Sequence, residues 1–486
     1  MKPTVRQVCL VVVFALIAGL IAACGGQQAA APTAAPATEA TTAPAAAPTA
    51  APGAEATAAP AAEATTAPAA EATTAPAPGA APAAGTCPDT AKGQQITMWS
   101  PLTGPDGDEM TALANQYSQE NPQGIKVTHL PQPDYLQKLN TAAAGGNLPD
   151  LTIIRATDIA EMAARNVLRP MSAEVLNAIA GEGIQSDFPA QVWRAGEYRG
   201  QRYAFPLDVH PLVLYYNKDL FQQAGIPAPG DQPMTREQFE QAAQATNKDG
   251  VMGVAIGTAF QAGALFQQLI RQFGGSLVNE DGTQATYNSE AGVEALTYLR
   301  DLKQKYSPQV SGAGDPEVKI FQQGKAAMVM HGPWHISDML KLPFVGFAPV
   351  PQIGDQYAVW GGSHQLALTT DDPARQAAAA CWIGWLSANS AQWAKAGLVP
   401  IRNSVREQAE LQSIAPAIHA IKAEADDVIL LPPVPGLEGA VWGEGFGPVV
   451  DAVLLGQQTD IKAGLDQAAA KSNQIIEQNR QRYGGQ

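Results

Sequence analysis

The sequence predicts an α/β fold for residues 86–486. Short apolar runs typical of strands alternate with runs in which apolar residues recur every three or four positions, as in amphipathic helices. Stretches that contain Gly and Pro separate these runs and end the helical patterns. Because helices of this length can connect neighbouring parallel strands, the first part of the chain predicts βαβ units and a mostly parallel sheet.

The region up to about residue 205 contains the clearest elements. Strands are predicted at 94–100, 125–130 and 150–155, and helices from about 108 and over 134–144. In the first helix, Met110, Leu113, Ala114 and Tyr117 have the spacing i, i+3, i+4 and i+7 that forms one apolar face.

The alternation of strands and helices changes near residue 203, where a Pro-rich segment leads into the apolar strand LVLYY. From there we predict strands at 212–216, 326–330, the start of 344–351 and 363–369, a short strand at 252–256, and helices at 260–273, 290–305, 377–386 and 461–476. The run AAMVM (326–330) is apolar throughout, as expected for a strand buried on both faces.

The N-terminus has the pattern of an export signal at 1–23. Lys2 and Arg6 precede an apolar run of about 16 residues, shorter than the roughly 20 needed to span a bilayer. Ile21-Ala22-Ala23-Cys24 resembles a bacterial lipobox, which predicts that Cys24 becomes the lipidated N-terminus. The alternative is an ordinary signal peptide with an incidental cysteine. We expect a protein exported to the outer face of the cytoplasmic membrane, at the cell surface or in the periplasm.

Residues 24–85 predict a disordered tether between the lipidated cysteine and the folded body. They consist almost entirely of Ala, Pro, Thr and Glu, and the unit AAEATTAP occurs twice in succession. Without large apolar side chains this segment cannot bury a core, and its spaced prolines favour an extended geometry over the alternative, an Ala-rich helix.

Composition excludes some partners. The formal net charge is −15, which argues against binding to nucleic acid or to anionic lipid headgroups. Of the four cysteines, Cys9 leaves with the signal and Cys24 carries lipid, so Cys87 and Cys381 remain. A disulfide between them is possible in an oxidising compartment, but spacing does not decide whether they meet.

Four segments resemble the family 1 extracellular solute-binding proteins of ABC importers. They are YYNKDLFQQAGI (215–226), FQQGKAAMVMHGPWH (321–335), GGSHQLAL (361–368) and AGLVPIRNSV (396–405), with VPGLEGAVWGEGFGPVVDAVLLG following. The resemblance implies a two-lobed, type II periplasmic-binding-protein-like fold with a ligand cleft between lobes and crossing hinge segments. Lobe 1 would take about 90–205 and part of 320–370, and lobe 2 about 215–310 and much of 375–440. It also implies a monomer that passes a carbohydrate or polyol to permease subunits.

The resemblance also implies that Trp334, in the GPW motif, stacks on a sugar ring. Apolar C–H faces of sugars suit aromatic planes, while a polar rim suits the hydroxyls. The alternative is that Trp334 packs under a loop. Trp442 is a second candidate for stacking, and Phe260 is a third aromatic candidate.

Polar candidates lie at strand ends and in the crossings. Trp99, Thr103 and Asp106 follow the first strand, where crevices of open α/β sheets form; Asp106 could instead only shape a turn. Asp208 and His210 share one side of an extended segment, and the alternative is a hinge pair without ligand contact. Further candidates are Gly362, Ser363, His364 and Arg155. The planar guanidinium of Arg155 can bind an anionic group through two hydrogen bonds, so the sequence does not decide between a neutral and an anionic ligand.

Two other functions compete with that of a solute receptor. An enzyme lacks sequence support, because no nucleophile elbow or Walker loop occurs, and Gly332-Pro333 interrupts a helix that would aim His331 and His335 at zinc. A glycosidase stays open, since its carboxylates need no local motif, and so does a surface adhesion or scaffold protein. The sequence therefore predicts a receptor without catalysis, cofactor or metal.

Overall fold

The computed structural model describes residues 85–312 and 314–484. The predicted signal segment, Cys24 and all of the tether except its last residue lie outside these residues. No helix in the described part of the chain is both long and apolar enough to cross a membrane.

Strands and helices alternate along the described chain. The strands are β1 (Gln95–Ser100), β2 (Lys126–Pro131), β3 (Leu151–Arg155), β4 (Glu197–Tyr198), β5 (Gln201–Arg202), β6 (Ala204–Pro206), β7 (Asp208–Pro211), β8 (Val213–Asn217), β9 (Met328–His331), β10 (Val345–Ala348), β11 (Val359–Gly362), β12 (His364–Leu368), β13 (Val399–Pro400) and β14 (Val428–Ile429). The α-helices are α1 (Pro105–Glu120), α2 (Tyr135–Gly145), α3 (Ala156–Ala164), α4 (Ala173–Ala180), α5 (Ala190–Ala195), α6 (Lys218–Ala224), α7 (Arg236–Thr246), α8 (Phe260–Gln272), α9 (Glu290–Tyr306), α10 (Pro316–Gln322), α11 (Ile336–Met339), α12 (Pro373–Ala388), α13 (Ser390–Trp393), α14 (Asn403–Arg406), α15 (Ala409–Ile414), α16 (Pro416–Ile421), α17 (Gly447–Leu454) and α18 (Ile461–Arg482).

Lobe 1 is built on a five-stranded sheet with the order β2-β1-β3-β12-β6. β1 pairs parallel with β2 and β3, whereas β12 runs antiparallel to β3 and β6. The first four residues of β3 are buried, which fits the continuous apolar run in its sequence. Helix α1 packs against β2, so the predicted βαβ start of the chain is confirmed.

Lobe 2 contains the antiparallel sheet β10-β8-β9. Helices α8, α9, α17 and α18 pack against one another beside it. The predicted strand at 252–256 does not form, because Met252 and Ala255 make only isolated bridges to Ala326 and Val329. Because the sheet β10-β8-β9 is antiparallel, the mostly parallel arrangement that the early βαβ pattern predicts does not extend to lobe 2.

A third sheet, β13-β7-β11-β14, connects the lobes, and we call it the hinge sheet. β7 leads from β6 of lobe 1 to β8 of lobe 2, and β11 leads back from β10 to β12. The predicted crossings PLDVHP and GGSH lie in this sheet. The fold is therefore two α/β lobes with crossing segments.

Helix α12 corrects one predicted lobe boundary. The sequence assigns much of 375–440 to lobe 2, but α12 packs against α4 and β1 of lobe 1. Trp382 on α12 contacts Tyr117 with ring centroids 5.3 Å apart. The structure also joins Cys87 to Cys381 in a disulfide, with their Cα atoms 5.3 Å apart, and so links α12 to the start of lobe 1.

Glu424 is a buried carboxyl group beside the hinge sheet, and it should make stability depend on pH. Its Oε1 accepts hydrogen bonds from the Val350 backbone N at 2.9 Å and the Tyr357 hydroxyl at 2.5 Å. Burial raises the pKa of Glu424 from 4.5 to about 8. A raised pKa stabilises the fold fully below pH 4.5, and this contribution is lost as the pH rises through 8.

We therefore expect the Glu424→Gln variant to lose less stability than the wild type between pH 5 and pH 8. The difference in the free energy of unfolding should be at least about 1 kcal/mol, since one pKa unit corresponds to about 1.4 kcal/mol. Urea unfolding at both pH values measures it. Parallel pH profiles of the two proteins would contradict the buried-acid interpretation.

Candidate functional site

A cavity of about 510 Å³ lies between the two lobes, within the usual range for small-molecule sites of about 300–1,000 Å³. Both lobes and the hinge sheet line it. From lobe 1 come Pro101, Leu102, Asp106, Arg155, Ala156 and Thr157; from the hinge sheet and its flanks come His210, Trp360, Gly361, Gly362, Ser363, His364, Leu398, Ile429, Leu430 and Leu431; from lobe 2 and the following segment come Phe260, Gln267, Trp334, Glu438 and Trp442.

Four aromatic rings form one apolar wall of this cavity. Phe260, the first residue of α8, lies at the centre of the group. Its ring centroid is 5.3 Å from Trp334, 5.0 Å from Trp360 and 5.9 Å from Trp442. Phe260 and Trp442 are nearly parallel at 20°, whereas Trp360 is nearly perpendicular to both. We call these four residues the aromatic wall, and its flat faces can cover an apolar ring face of a ligand.

Three glycines make room for rings at the site. A Cβ at Gly263 of α8 would lie 2.7 Å from the indole of Trp442, and one at Gly332 would lie 2.0 Å from the indole of Trp334. A Cβ at Gly362 would lie 2.2 Å from His210 Nε2. Since real Cβ atoms do not approach so closely, these rings depend on the absence of a side chain at each glycine.

Asp208 lies behind the polar side of the cavity and orients the two histidines there. It is fully buried and accepts hydrogen bonds from Trp393 Nε1 at 2.8 Å and from the His364 backbone N at 3.1 Å. Nδ1 of His364 and Nδ1 of His210 lie 3.1 Å and 3.3 Å from its two carboxylate oxygens. The centroids of the two imidazole rings are 4.5 Å apart, and both residues line the cavity.

Asp208, His210 and His364 shift one another's pKa values. Burial would raise the pKa of Asp208, but the charge of His364 and the hydrogen bonds of both histidines lower it below its ordinary value. Burial would lower the pKa of His364, but Asp208 raises it above its ordinary value. Burial and the charge of His364 lower the pKa of His210. Asp208 thus favours the protonated form of His364, whereas burial and the charge of His364 favour the neutral form of His210.

The remaining charged groups at the cavity are mostly acidic. Arg155 donates from Nε to Asp158 Oδ2 at 2.9 Å, and its side chain is 47% exposed. Asp106 and Glu438 line the same cavity. One oxygen of Asp106 accepts hydrogen bonds from the backbone N of Gly104 and of Gly107, so Asp106 both shapes its turn and reaches the cavity.

The sequence of this chain also matches a known protein family. Residues 101–393 match the family described as bacterial extracellular solute-binding protein. The chain belongs to this family.

Relatives of this solute-binding protein cover most of its length. The sn-glycerol-3-phosphate-binding periplasmic protein of Salmonella typhimurium is 25% identical over 412 residues, covering 78% of this chain and 92% of the relative. The GacH receptor of Streptomyces glaucescens, solved unliganded and with acarbose, is 25% identical with a TM-score of 0.67, covering 79% of this chain and 98% of that one. The sugar-binding protein MalE of Xanthomonas citri is 22% identical with a TM-score of 0.69, covering 81% and 100%.

Most residues that the sequence predicts for the site of this solute-binding protein lie together in the cavity. They are Asp106, Arg155, His210, Phe260, Trp334, Gly362, Ser363, His364 and Trp442. They come from both lobes and the hinge sheet, so the fold assembles them.

Three predicted residues lie elsewhere. Trp99 lies in a separate pocket beside α2, because alternate residues of β1 face opposite sides of the sheet. Thr103 is exposed, and its neighbour Leu102 lines the cavity instead. Asp208 is buried behind His210 and His364, so it positions these residues and does not line the cavity itself.

Sequence reasoning missed Trp360, Gln267 and Glu438. Gln267 is seven positions after Phe260 on α8, which places both on the same helix face, so helical spacing could have indicated it. Trp360 directly precedes the GGSH segment that the sequence singled out. Glu438 directly precedes the π-helix Gly439–Phe446, which also carries Trp442, and no local sequence pattern indicates it.

Replacing Gly263 with alanine should weaken solute binding about threefold, because the added Cβ would displace the indole of Trp442. Gly439→Ala is the matched control, since nothing lies within 4 Å of a Cβ at that position. Titration calorimetry measures both. Equal affinity in the two variants would show that the Gly263–Trp442 contact does not shape the site.

Proposed function

We propose that this protein captures a carbohydrate or polyol between its lobes and delivers it to the permease of an ABC importer. The observation that carries the proposal is one interlobe cavity that is lined both by the aromatic wall and by the polar groups Gln267 and His364. Indole and phenyl faces cover the C–H faces of a sugar, and the amide and imidazole meet its hydroxyls. The hinge sheet supports closure of the lobes around the solute.

The charge distribution supports a neutral polyhydroxyl solute over a phosphorylated one. Arg155 is already paired with Asp158, and the cavity also contains the carboxyl groups of Asp106 and Glu438. The negative charges of Asp106 and Glu438 would repel a phosphate in this cavity. The relatives fit either class, since one is named for sn-glycerol-3-phosphate and another was solved with acarbose.

A thermal-shift screen of the full-length protein tests this proposal. The panel contains mono-, di- and trisaccharides, polyols and glycerol phosphates. A carbohydrate or polyol should raise the melting temperature in a saturable way, because a ligand that binds only the native state stabilises it. If only a glycerol phosphate does so, the solute class is wrong. If no solute does and a protein partner binds tightly, an adhesion protein is the better function.

The same screen addresses catalysis. We propose that the protein is a receptor without enzymatic activity, since the family and the named relatives are binding proteins. Each carbohydrate that binds should be recovered unchanged after prolonged incubation, as measured by chromatography. Appearance of a hydrolysis product that Glu438→Gln or Asp106→Asn abolishes would identify a glycosidase instead.

We further propose that a lipid on Cys24 holds this monomeric protein at the outer face of the membrane. An acyl chain contributes about 0.8 kcal/mol per buried methylene, and more than one chain is needed for stable anchoring. The Cys24→Ala variant should move from the membrane fraction to the soluble fraction, at least about tenfold by immunoblot, while Cys9→Ala should stay with the membrane. Sedimentation of Cys24→Ala with the membrane would contradict the anchor.

A further inference from the structure

A second polar cluster lies behind the aromatic wall, inside lobe 2. Its members are Asp315 and Glu317 at the start of α10, His331 at the end of β9, and His335 in the turn Pro333–His335. Nε2 of His331 lies 3.7 Å from Asp315 Oδ1 and 3.5 Å from Glu317 Oε1, and Nε2 of His335 lies 3.6 Å from Asp315 Oδ2. We call these four residues the His/Asp/Glu cluster.

Ligand atoms of Asp315, His331 and His335 all lie within 4.8 Å of one another, and Glu317 adds an oxygen beside His331. Their separations are longer than the 2.7–3.2 Å of ordinary hydrogen bonds. Among the described residues, both ring nitrogens of His331, Nε2 of His335 and Oε2 of Glu317 are buried with no hydrogen-bond partner. His331 and Glu317 are each 1% exposed, so this arrangement is costly unless something else binds these atoms.

The group around Asp208 provides an internal contrast. It also brings two histidines to one carboxylate, but its oxygens hold hydrogen bonds from Trp393 and from the His364 backbone. That group is satisfied by the protein itself. The buried atoms of the His/Asp/Glu cluster have no such partners among the described residues, which favours this cluster over the Asp208 group as a ligand site.

We propose that the His/Asp/Glu cluster binds one divalent transition-metal cation, with Zn²⁺ as the best match. Tetrahedral zinc with bonds of about 2.0–2.2 Å holds its ligand atoms about 3.3–3.6 Å apart, close to the separations of this cluster. Two imidazoles with two carboxylates favour zinc over Mg²⁺ or Ca²⁺, which prefer oxygen alone. The cation would also offset the charge of the buried Glu317 carboxylate.

The position of the cluster connects it to the solute cavity. The ring centroid of Trp334 lies 5.6 Å from that of His331 and 6.1 Å from that of His335. A cation held by His331, His335 and Asp315 would therefore fix the turn that carries Trp334 to the segment before α10. This role is additional to solute capture, and it holds whatever solute the cavity takes.

The test uses full-length protein purified without a polyhistidine tag, stripped with chelator and titrated with zinc chloride. We expect one equivalent of zinc with a Kd below about 1 µM, a higher melting temperature with zinc, and no competition from excess Mg²⁺. His335→Ala and Asp315→Asn should each weaken zinc binding at least 100-fold. Both positions are partly exposed, so these variants should fold, and circular dichroism checks this.

His364→Gln is the control for the other histidine group and should keep full zinc binding. Absence of stoichiometric zinc in the wild type would overturn the proposal. So would zinc binding that persists in both His335→Ala and Asp315→Asn, or that His364→Gln abolishes. A loss of sugar binding without a change in zinc binding bears on the solute site alone, so failure of the two proposals can be told apart.

Discussion

Replacing Trp334 with alanine should weaken solute binding at least tenfold, about 1.4 kcal/mol, while the fold is kept. The indole is half-buried in the cavity and contacts Phe260 edge-on at 5.3 Å and His210 at 6.0 Å between ring centroids. Its removal takes away one aromatic face and leaves Phe260 with fewer contacts. Titration calorimetry with the solute that gives the largest thermal shift measures the effect.

Trp385→Ala is the matched control for this experiment. Trp385 lies on α12 in lobe 1, where it stacks on Trp382 with centroids 5.7 Å apart and does not line the cavity. Its loss should lower the melting temperature and leave affinity unchanged. Trp334→Phe should recover part of the lost affinity, since a smaller ring still covers a sugar face. Wild-type affinity in Trp334→Ala would remove this residue from the site.

Replacing Asp208 with alanine should reduce both stability and binding, by about 3 kcal/mol of unfolding free energy and at least tenfold in affinity. The variant leaves the indole N–H of buried Trp393 and the backbone N of His364 without their acceptor, and each such loss costs about 1–3 kcal/mol. It also releases His210 and His364 from the carboxylate that orients their rings.

Asp208→Asn separates shape from charge. The amide oxygen can still accept hydrogen bonds, but the charge that raises the pKa of His364 is gone. We expect an intermediate loss of stability that is largest below the ordinary histidine pKa of about 6.5, where protonated His364 stabilises the wild type. Urea unfolding at pH 5.5 and pH 8 measures it. A loss that is the same at both pH values would contradict the ion pair.

Local periodicity predicted the elements well where the apolar residues of a segment have a regular spacing. The helices that became α1 and α8 have a clear apolar face, and the strands that became β3 and β12 are short apolar runs bounded by turns. The strand at 252–256 failed because pairing needs a partner along its length. Met252 and Ala255 each find only one bridge.

Local sequence patterns also could not indicate the proposed metal site. Sequence spacing argued against zinc because Gly332-Pro333 separates His331 from His335 within one segment. Asp315 and Glu317 lie well before them in the chain, on a different element, and no local pattern connects the two pairs. Only packing of α10 against β9 brings the carboxylates to the imidazoles.

By itself, the sequence determined the types of most elements, the family resemblance and most of the aromatic and polar groups of the cavity, because residue type and spacing carry that information. The tertiary structure alone decided that Trp99 faces away from the cavity, that Asp208 lies behind the histidines, and that α12 belongs to lobe 1. Those outcomes depend on which face of a strand or helix packs against a segment distant in sequence, and local residue patterns do not determine that packing.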